Sequence, residues 1–237
     1  MSDNAIVLTR VRLSFPHVAA PQVRDNPDGT KKSSYSADFI LAPDHPGWAQ
    51  FMTVVQQMAQ AKWGANAAGV LAMVNQDKRL RGFGRGEEKM NKEGKVYDGY
   101  AGNLYIGAGS STQPQIGDAR GAIIDPANTM ALLTEARKLY GGCWVNAVVK
   151  PWMQENKHGR AVRCDFVAIQ FLEDGEAFGD GRVSAAGLFG ATPAAAAAPA
   201  AAPAEAAWGV PAMPGLPFPG AGLPGAPAAS NLPSFLS

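Results

Sequence analysis

Residues 140–175 read YGGCWVNAVVKPWMQENKHGRAVRCDFVAIQFLEDG, and the alternation within them decides the fold class. Cys143, Val145, Ala147 and Val149 fall on one face of a strand that runs to Trp152. Trp144, Asn146, Val148, Lys150 and Trp152 fall on the other, the period of two that a half-buried strand requires. Glu155-Asn156-Lys157-His158-Gly159 supplies a polar turn that ends in glycine. Arg160 to Phe171 returns as a second strand rich in Val, Ile and Phe, with Arg163 among them. The small apolar face suits a core. The other face interleaves two tryptophans with a lysine, and two readings fit it. Rings beside cations on a sheet stack bases and neutralise phosphates, whereas tryptophan is also a residue that is mostly buried.

Upstream of this hairpin, Asp125-Pro126 pairs an N-cap acid with a proline at the first helical position and predicts a helix over 126–140. Gly141-Gly142 stop it. Asn103 to Ala108 reads as a short strand before the polar loop Ser110-Ser111-Thr112-Gln113-Pro114. At the start of the chain, Ala5 to Phe15 reads as a strand whose period slips near Thr9-Arg10, the mark of a bulge. Pro16 is expected to end it. Residues 21–34 read as a loop around Asn26-Pro27-Asp28-Gly29, and Tyr35 to Leu41 as the second strand. A helix over 44–63 carries Trp48, Phe51, Met52, Val55, Met58 and Ala59 on one stripe, a core-packing pattern that Gly64 closes. The sum is a mainly β fold with two helices, an OB-fold-like five-stranded β-barrel. In it the helix over 126–140 lies between the third and fourth strands, and 44–63 is an insertion.

The segment from Asn75 to Tyr100, NQDKRLRGFGRGEEKMNKEGKVYDGY, is charged and punctuated by glycine. It reads either as a mobile basic and aromatic loop that closes on a polyanion or as a solvated hairpin whose acids dilute the charge. Its GFGRG lacks the GK[ST] and the strand–turn–helix context of a phosphate loop. Chosen by residue type, the candidate nucleic-acid contacts are Lys31, Lys32, Tyr35, Lys78, Arg79, Arg81, Tyr97, Tyr100, Trp144, Lys150, Trp152 and Arg163.

The totals leave any basic site local, since 21 Lys and Arg stand against 20 Asp and Glu. Cys143 and Cys164 have no CxxC spacing and are expected as free, mostly buried thiols. His17, His45 and His158 have no metal-ligand spacing, and no GxSxG or HExxH motif occurs. No cofactor, metal or catalytic activity is therefore expected. No signal-peptide layout and no long apolar run occurs, so a soluble, intracellular protein without membrane contact is expected.

After Val183 the composition changes. Residues 185–237 hold one charged side chain, Glu205, among Ala, Pro and Gly. Proline breaks helices and ladders, so the expectation is a folded domain over 1–184 and a disordered Ala/Pro/Gly-rich tail over 185–237. Leu232, Phe235 and Leu236 form an apolar cluster at its tip, read either as a hook for a protein partner or as the end of an inert spacer.

Five short motifs in order carry a family resemblance: Arg12-Leu13-Ser14-Phe15-Pro16; Tyr35-Ser36-Ala37-Asp38-Phe39-Ile40-Leu41; Tyr100-Ala101-Gly102 with Ser110-Ser111-Thr112-Gln113-Pro114; Tyr140-Gly141-Gly142-Cys143-Trp144-Val145-Asn146; and Gly175-Glu176-Ala177-Phe178-Gly179. Over residues 5–183 the chain resembles the OB-fold single-stranded-DNA-binding proteins of tailed bacteriophages. The resemblance implies a non-catalytic protein that coats single-stranded DNA in phage replication, recombination or repair, in the cytoplasm of the infected bacterium. Replication or recombination proteins of phage or host are the candidate partners of the tail tip where it is read as a hook, and a homo-oligomer is a further candidate assembly. A phage structural or assembly protein and an RNA-binding protein are the rival readings. Unlike the acidic tails of many single-strand binders, this tail is nearly uncharged.

Overall fold

A computed structural model describes residues 4–25, 29–157 and 159–179. The tail, with Leu232, Phe235 and Leu236, lies outside them, as do His158 of the final hairpin turn and Asn26-Pro27-Asp28 of the first.

The final hairpin forms as its alternation requires. Strands β6 (Trp144–Asn156) and β7 (Gly159–Glu173) pair antiparallel, with Trp152 opposite Arg163 and Lys150 opposite Asp165. Val145, Ala147 and Val149 are buried, whereas Lys150 and Trp152 face outward. β1 (Ile6–Asp25) pairs with β6 on one edge and with β2 (Lys31–Leu41) on the other. β4 (Leu104–Ser110) pairs with β2, and a parallel bridge of Gly109 with Asp165 joins β4 to β7. These pairings close a five-strand barrel in the order β1-β2-β4-β7-β6 and back to β1. Short strands β3 (Phe83–Arg85) and β5 (Gln115–Gly117) attach to β4 and β7. Ile6, Leu8, Leu13, Phe39, Ile106, Val145 and Phe166 fill the interior, where the Phe39 and Phe166 rings meet edge to face at 5.4 Å.

β1 departs from the expectation that Pro16 ends it. Ser14 pairs with Asp38 and His17 with Ser36, so one extra residue on β1 is accommodated as a bulge. Pro16 sits inside that bulge, where no ladder N–H is required of it. The strand then continues, and residues expected in a loop pair from Gln22–Ser34 to Asp25–Lys31 as a projecting hairpin. The bulge expected at Thr9-Arg10 is present between Leu8 and Val11, and Asn146 Oδ1 accepts from Arg10 N at 3.0 Å.

Helix α1 (Pro46–Trp63) packs Phe51, Val55 and Ala59 against the barrel and ends at Gly64. Its cap is His45. Gly47 N donates to Nδ1 at 3.0 Å, so Nε2 carries the proton and donates to Thr9 O at 2.8 Å. A second helix, α2 (Ala67–Gln76), follows it and buries Val70 and Val74; its apolar stretch is too short to separate helix from buried strand by periodicity. The third, α3 (Thr129–Ala136), is shorter than the expected 126–140. Asp125 accepts from Ala127 N in a local turn at 2.9 Å, and the cap is Asn128, which accepts from Ala131 N at 3.1 Å. Cys143 and Cys164 are free and buried.

Candidate nucleic-acid interface

The pairings of β6, β7, β4, β2 and β1 define two transverse rows on the outside of the barrel. One runs Lys150, Asp165, Gly109, Ser36, His17. In the other, Trp152 faces Arg163 on β7, Gly107 on β4 faces Asp38, and Asp38 faces Ser14. Between β7 and β4 in this second row lies Gly82, whose carbonyl accepts from Gly107 N, while Leu80 O accepts from Val162 N. The inward parity is occupied by Ala37, Phe39, Ile106, Ala108, Cys164 and Phe166, all buried. Gly82, Gly107, Gly109 and Ser36 thus form a floor of small residues on the outward side of the barrel.

Glycine is sterically required at two of these positions. A Cβ on Gly82 would lie 2.8 Å from Gly107 O, and one on Gly107 would lie 2.6 Å from Asp38 Oδ1. Gly109 has no such constraint, since its Cβ would make only ordinary contact with Tyr35 O at 3.5 Å. A strand glycine without a packing reason marks a place that another molecule approaches closely.

The rim on the β6–β7 side carries Trp152, 37% exposed, with Lys150 and Arg163. The pairing of Arg81 with Val162 places the Asp77–Arg81 turn next to this rim, so exposed Lys78 and Arg79 join it. Arg79 pairs with Asp77 at 2.8 Å while its side chain stays 85% exposed, and the hydrogen bond from Arg79 holds the Asp77 carboxyl down at about 2. Tyr35 is half-buried at the start of the floor, opposite Ser110. Lys31 and Lys32 are exposed on the projecting β1–β2 hairpin.

Three of the expected contacts have other roles. Tyr100 is fully buried; its Oη donates to Asp38 Oδ2 at 2.8 Å, and burial raises its pKa well above the ordinary tyrosine value. Arg81 has a side chain 9% exposed, bridges Glu88 at 2.9 Å and donates to Phe83 O and Asn75 O. It fastens the 77–88 segment, because a cation that is buried and fully bonded costs too much to withdraw. Trp144 stands at the opposite end of β6, about 26 Å along the strand from Trp152. The Arg10 and Arg12 guanidiniums lie 5.0 and 5.1 Å from its ring centroid. Arg12 also lies over the Phe178 ring at 4.6 Å and donates to Glu176 O, so this stack clasps the 175–178 strap to the barrel. The 75–100 segment as a whole is pinned across β2 and β4. Lys89 pairs with Asp38 at 2.6 Å and lies 4.5 Å from the Tyr105 ring centroid.

Residue-type reasoning missed Phe15. It is 45% exposed and has φ 47, a region that bulky residues rarely enter. Its ring meets that of Tyr97, 38% exposed, edge to face at 5.0 Å. The local sequence carries no signal of this, since Val11, Leu13 and Phe15 keep the strand alternation and only the bulge at Pro16 turns the ring outward. Among the described residues no group of three or more His, Cys, Asp or Glu gathers as a metal site, and no helix is long and apolar enough to cross a membrane.

A closed five-strand barrel with this ring order defines an OB-fold protein. The chain belongs to the family described as Enterobacter phage Enc34, ssDNA-binding protein, which matches residues 4–198. Putative protein p50 of Acyrthosiphon pisum secondary endosymbiont phage 1 is 30% identical over 186 residues, spanning 76% of this chain and 89% of that protein. Among solved structures, the single-stranded DNA-binding protein from bacteriophage Enc34 in complex with ssDNA superposes with a TM-score of 0.56 at 24% identity, over 75% of this chain and 91% of that one. A second structure, of the single-stranded DNA-binding protein from bacteriophage Enc34, gives a TM-score of 0.53 at 24% identity, over 78% and 89%. These two likenesses bear on the fold.

Proposed function

We propose that this chain binds single-stranded DNA along the glycine-floored face, without catalysis and with tolerance of sequence. The observation that carries the reading is the Trp152–Arg163 pair, with Trp152 37% exposed, on the face that holds the sterically unconstrained Gly109. An indole offers a face to any base, a guanidinium pairs with phosphate, and the floor admits the strand. The membership of a family described as ssDNA-binding supports the same conclusion.

The charges set the orientation of the bound strand. Asp165, exposed in the first floor row, repels phosphate, so the bases turn toward the floor. Lys150, Arg163, Lys78 and Arg79 on one rim, and Lys31 and Lys32 on the hairpin, take the phosphates. DNA contact belongs to residues 1–184; the tail, with Glu205 as its one charge, has nothing to compete with phosphate. Coating of single-stranded intermediates in phage replication, recombination or repair, inside the host cell, follows as the role. Titration of a labelled oligo-dT, followed by anisotropy, tests it: saturable binding that weakens with salt is expected, and absence of binding overturns it.

A further inference from the structure

We propose that Phe15 and Tyr97 form a second base-stacking platform, on the β1 side of the floor, served by Lys92 and Lys95 as phosphate contacts. This rests on the reading of the face as a single-stranded-DNA site and adds to it where the strand leaves the Trp152 rim.

Phe15 sits at the bulge that Pro16 allows, and its positive φ turns an apolar ring out of the sheet. The ring packs against Tyr97 and lies 6.2 Å from the Tyr100 ring centroid, yet 45% of the residue stays exposed, which leaves ring surface free for a base. Tyr97 is brought beside it by a tight excursion of the chain. Tyr97 N donates to Lys89 O at 3.0 Å, Met90 bridges Val96, and Asn91 Oδ1 accepts from Glu93 N and Lys95 N. Lys89 at the base of the excursion is fixed to Asp38, so the Tyr97 ring is placed by the floor itself. The excursion carries Lys92 and Lys95, both exposed. Two exposed rings at 5.0 Å beside two lysines match a nucleotide, with its apolar base and anionic linkage, better than they match an apolar protein surface.

The test is anisotropy of the full-length chain with labelled oligo-dT. F15A, F15L and Y97A are each compared with the unaltered protein, and thermal melting is recorded in parallel. Each variant is expected to weaken binding roughly 5- to 150-fold, the worth of one stacked base, with melting unchanged. F15L keeps apolar bulk without the ring, and it decides the matter together with Y97A if F15A fails to fold. Binding within twofold of the unaltered protein for F15L and Y97A overturns the platform and leaves the Trp152 site standing. Failure of the unaltered protein to bind overturns the proposed function, and this platform with it.

Discussion

Lys89 Nζ lies 2.6 Å from the Asp38 Oδ2 atom that also accepts the Tyr100 hydroxyl at 2.8 Å. One outward carboxylate of β2 thereby anchors a chain segment 51 residues downstream and fixes one wall of the floor. The Asp38 side chain is mostly buried, so removing either donor leaves a desolvated acceptor. Lys89→Met and Tyr100→Phe should each destabilise the fold by about 1–3 kcal/mol, measured by urea unfolding.

Alkaline pH should destabilise the protein in a predictable order. Burial raises the Cys164 thiol and the Tyr100 phenol, and pushes Tyr105 up to about 12. In the unfolded chain thiols ionise near 8.5 and phenols near 10. Above those values the unfolded state has lost protons that the folded state keeps, so stability is full below about pH 8.5 and falls as pH rises. Urea midpoints between pH 8 and 11 should decline, and Tyr100→Phe should decline less steeply above pH 10.

Gly109 offers a test of the floor that spares the core. It lies within β4, and an added Cβ meets only Tyr35 O at 3.5 Å. Gly109→Val should keep or slightly raise the melting temperature, because β-branched residues favour strands, while weakening oligo-dT binding at least tenfold. A variant that binds normally removes the floor from the site.

The barrel was legible because its strands announce themselves by parity. Cys143 to Trp152 alternates cleanly, and both of its faces lie where the alternation puts them. β1 was legible only to Phe15, since a proline in a strand reads as a stop and the bulge that excuses it depends on the pairing with β2. α3 was over-extended because Asp125-Pro126 satisfies the rule for a helix start, whereas the side chain of Asn128 provides the actual cap. Site residues were legible by type and not by place. Lys150, Trp152 and Arg163 come together on one rim, but Tyr100 and Arg81 are of the same residue types and are used to tie the 77–103 segment down. Nothing in their local sequence distinguishes the two uses, because their partners Asp38 and Glu88 are brought to them by the fold.

That distinction predicts opposite phenotypes for neighbouring cations. Lys78→Ala with Arg79→Ala should leave stability unchanged, since the exposed Arg79–Asp77 pair contributes little. It should flatten the log–log salt dependence of single-strand binding by about 0.7 for each phosphate that is no longer neutralised. Arg81→Ala should instead destabilise the fold, by about 3–5 kcal/mol for a broken buried pair. Circular-dichroism melts and salt titrations separate the two.

The most direct test of the account is the Trp152→Ala variant, titrated with oligo-dT beside the unaltered protein at several salt concentrations and read by anisotropy and tryptophan fluorescence. The prediction is binding that is weaker by about 1–3 kcal/mol, a smaller DNA-dependent quenching, and an unchanged melting temperature. Equal affinity and equal quenching in the two proteins would contradict the placement of single-stranded DNA on this face.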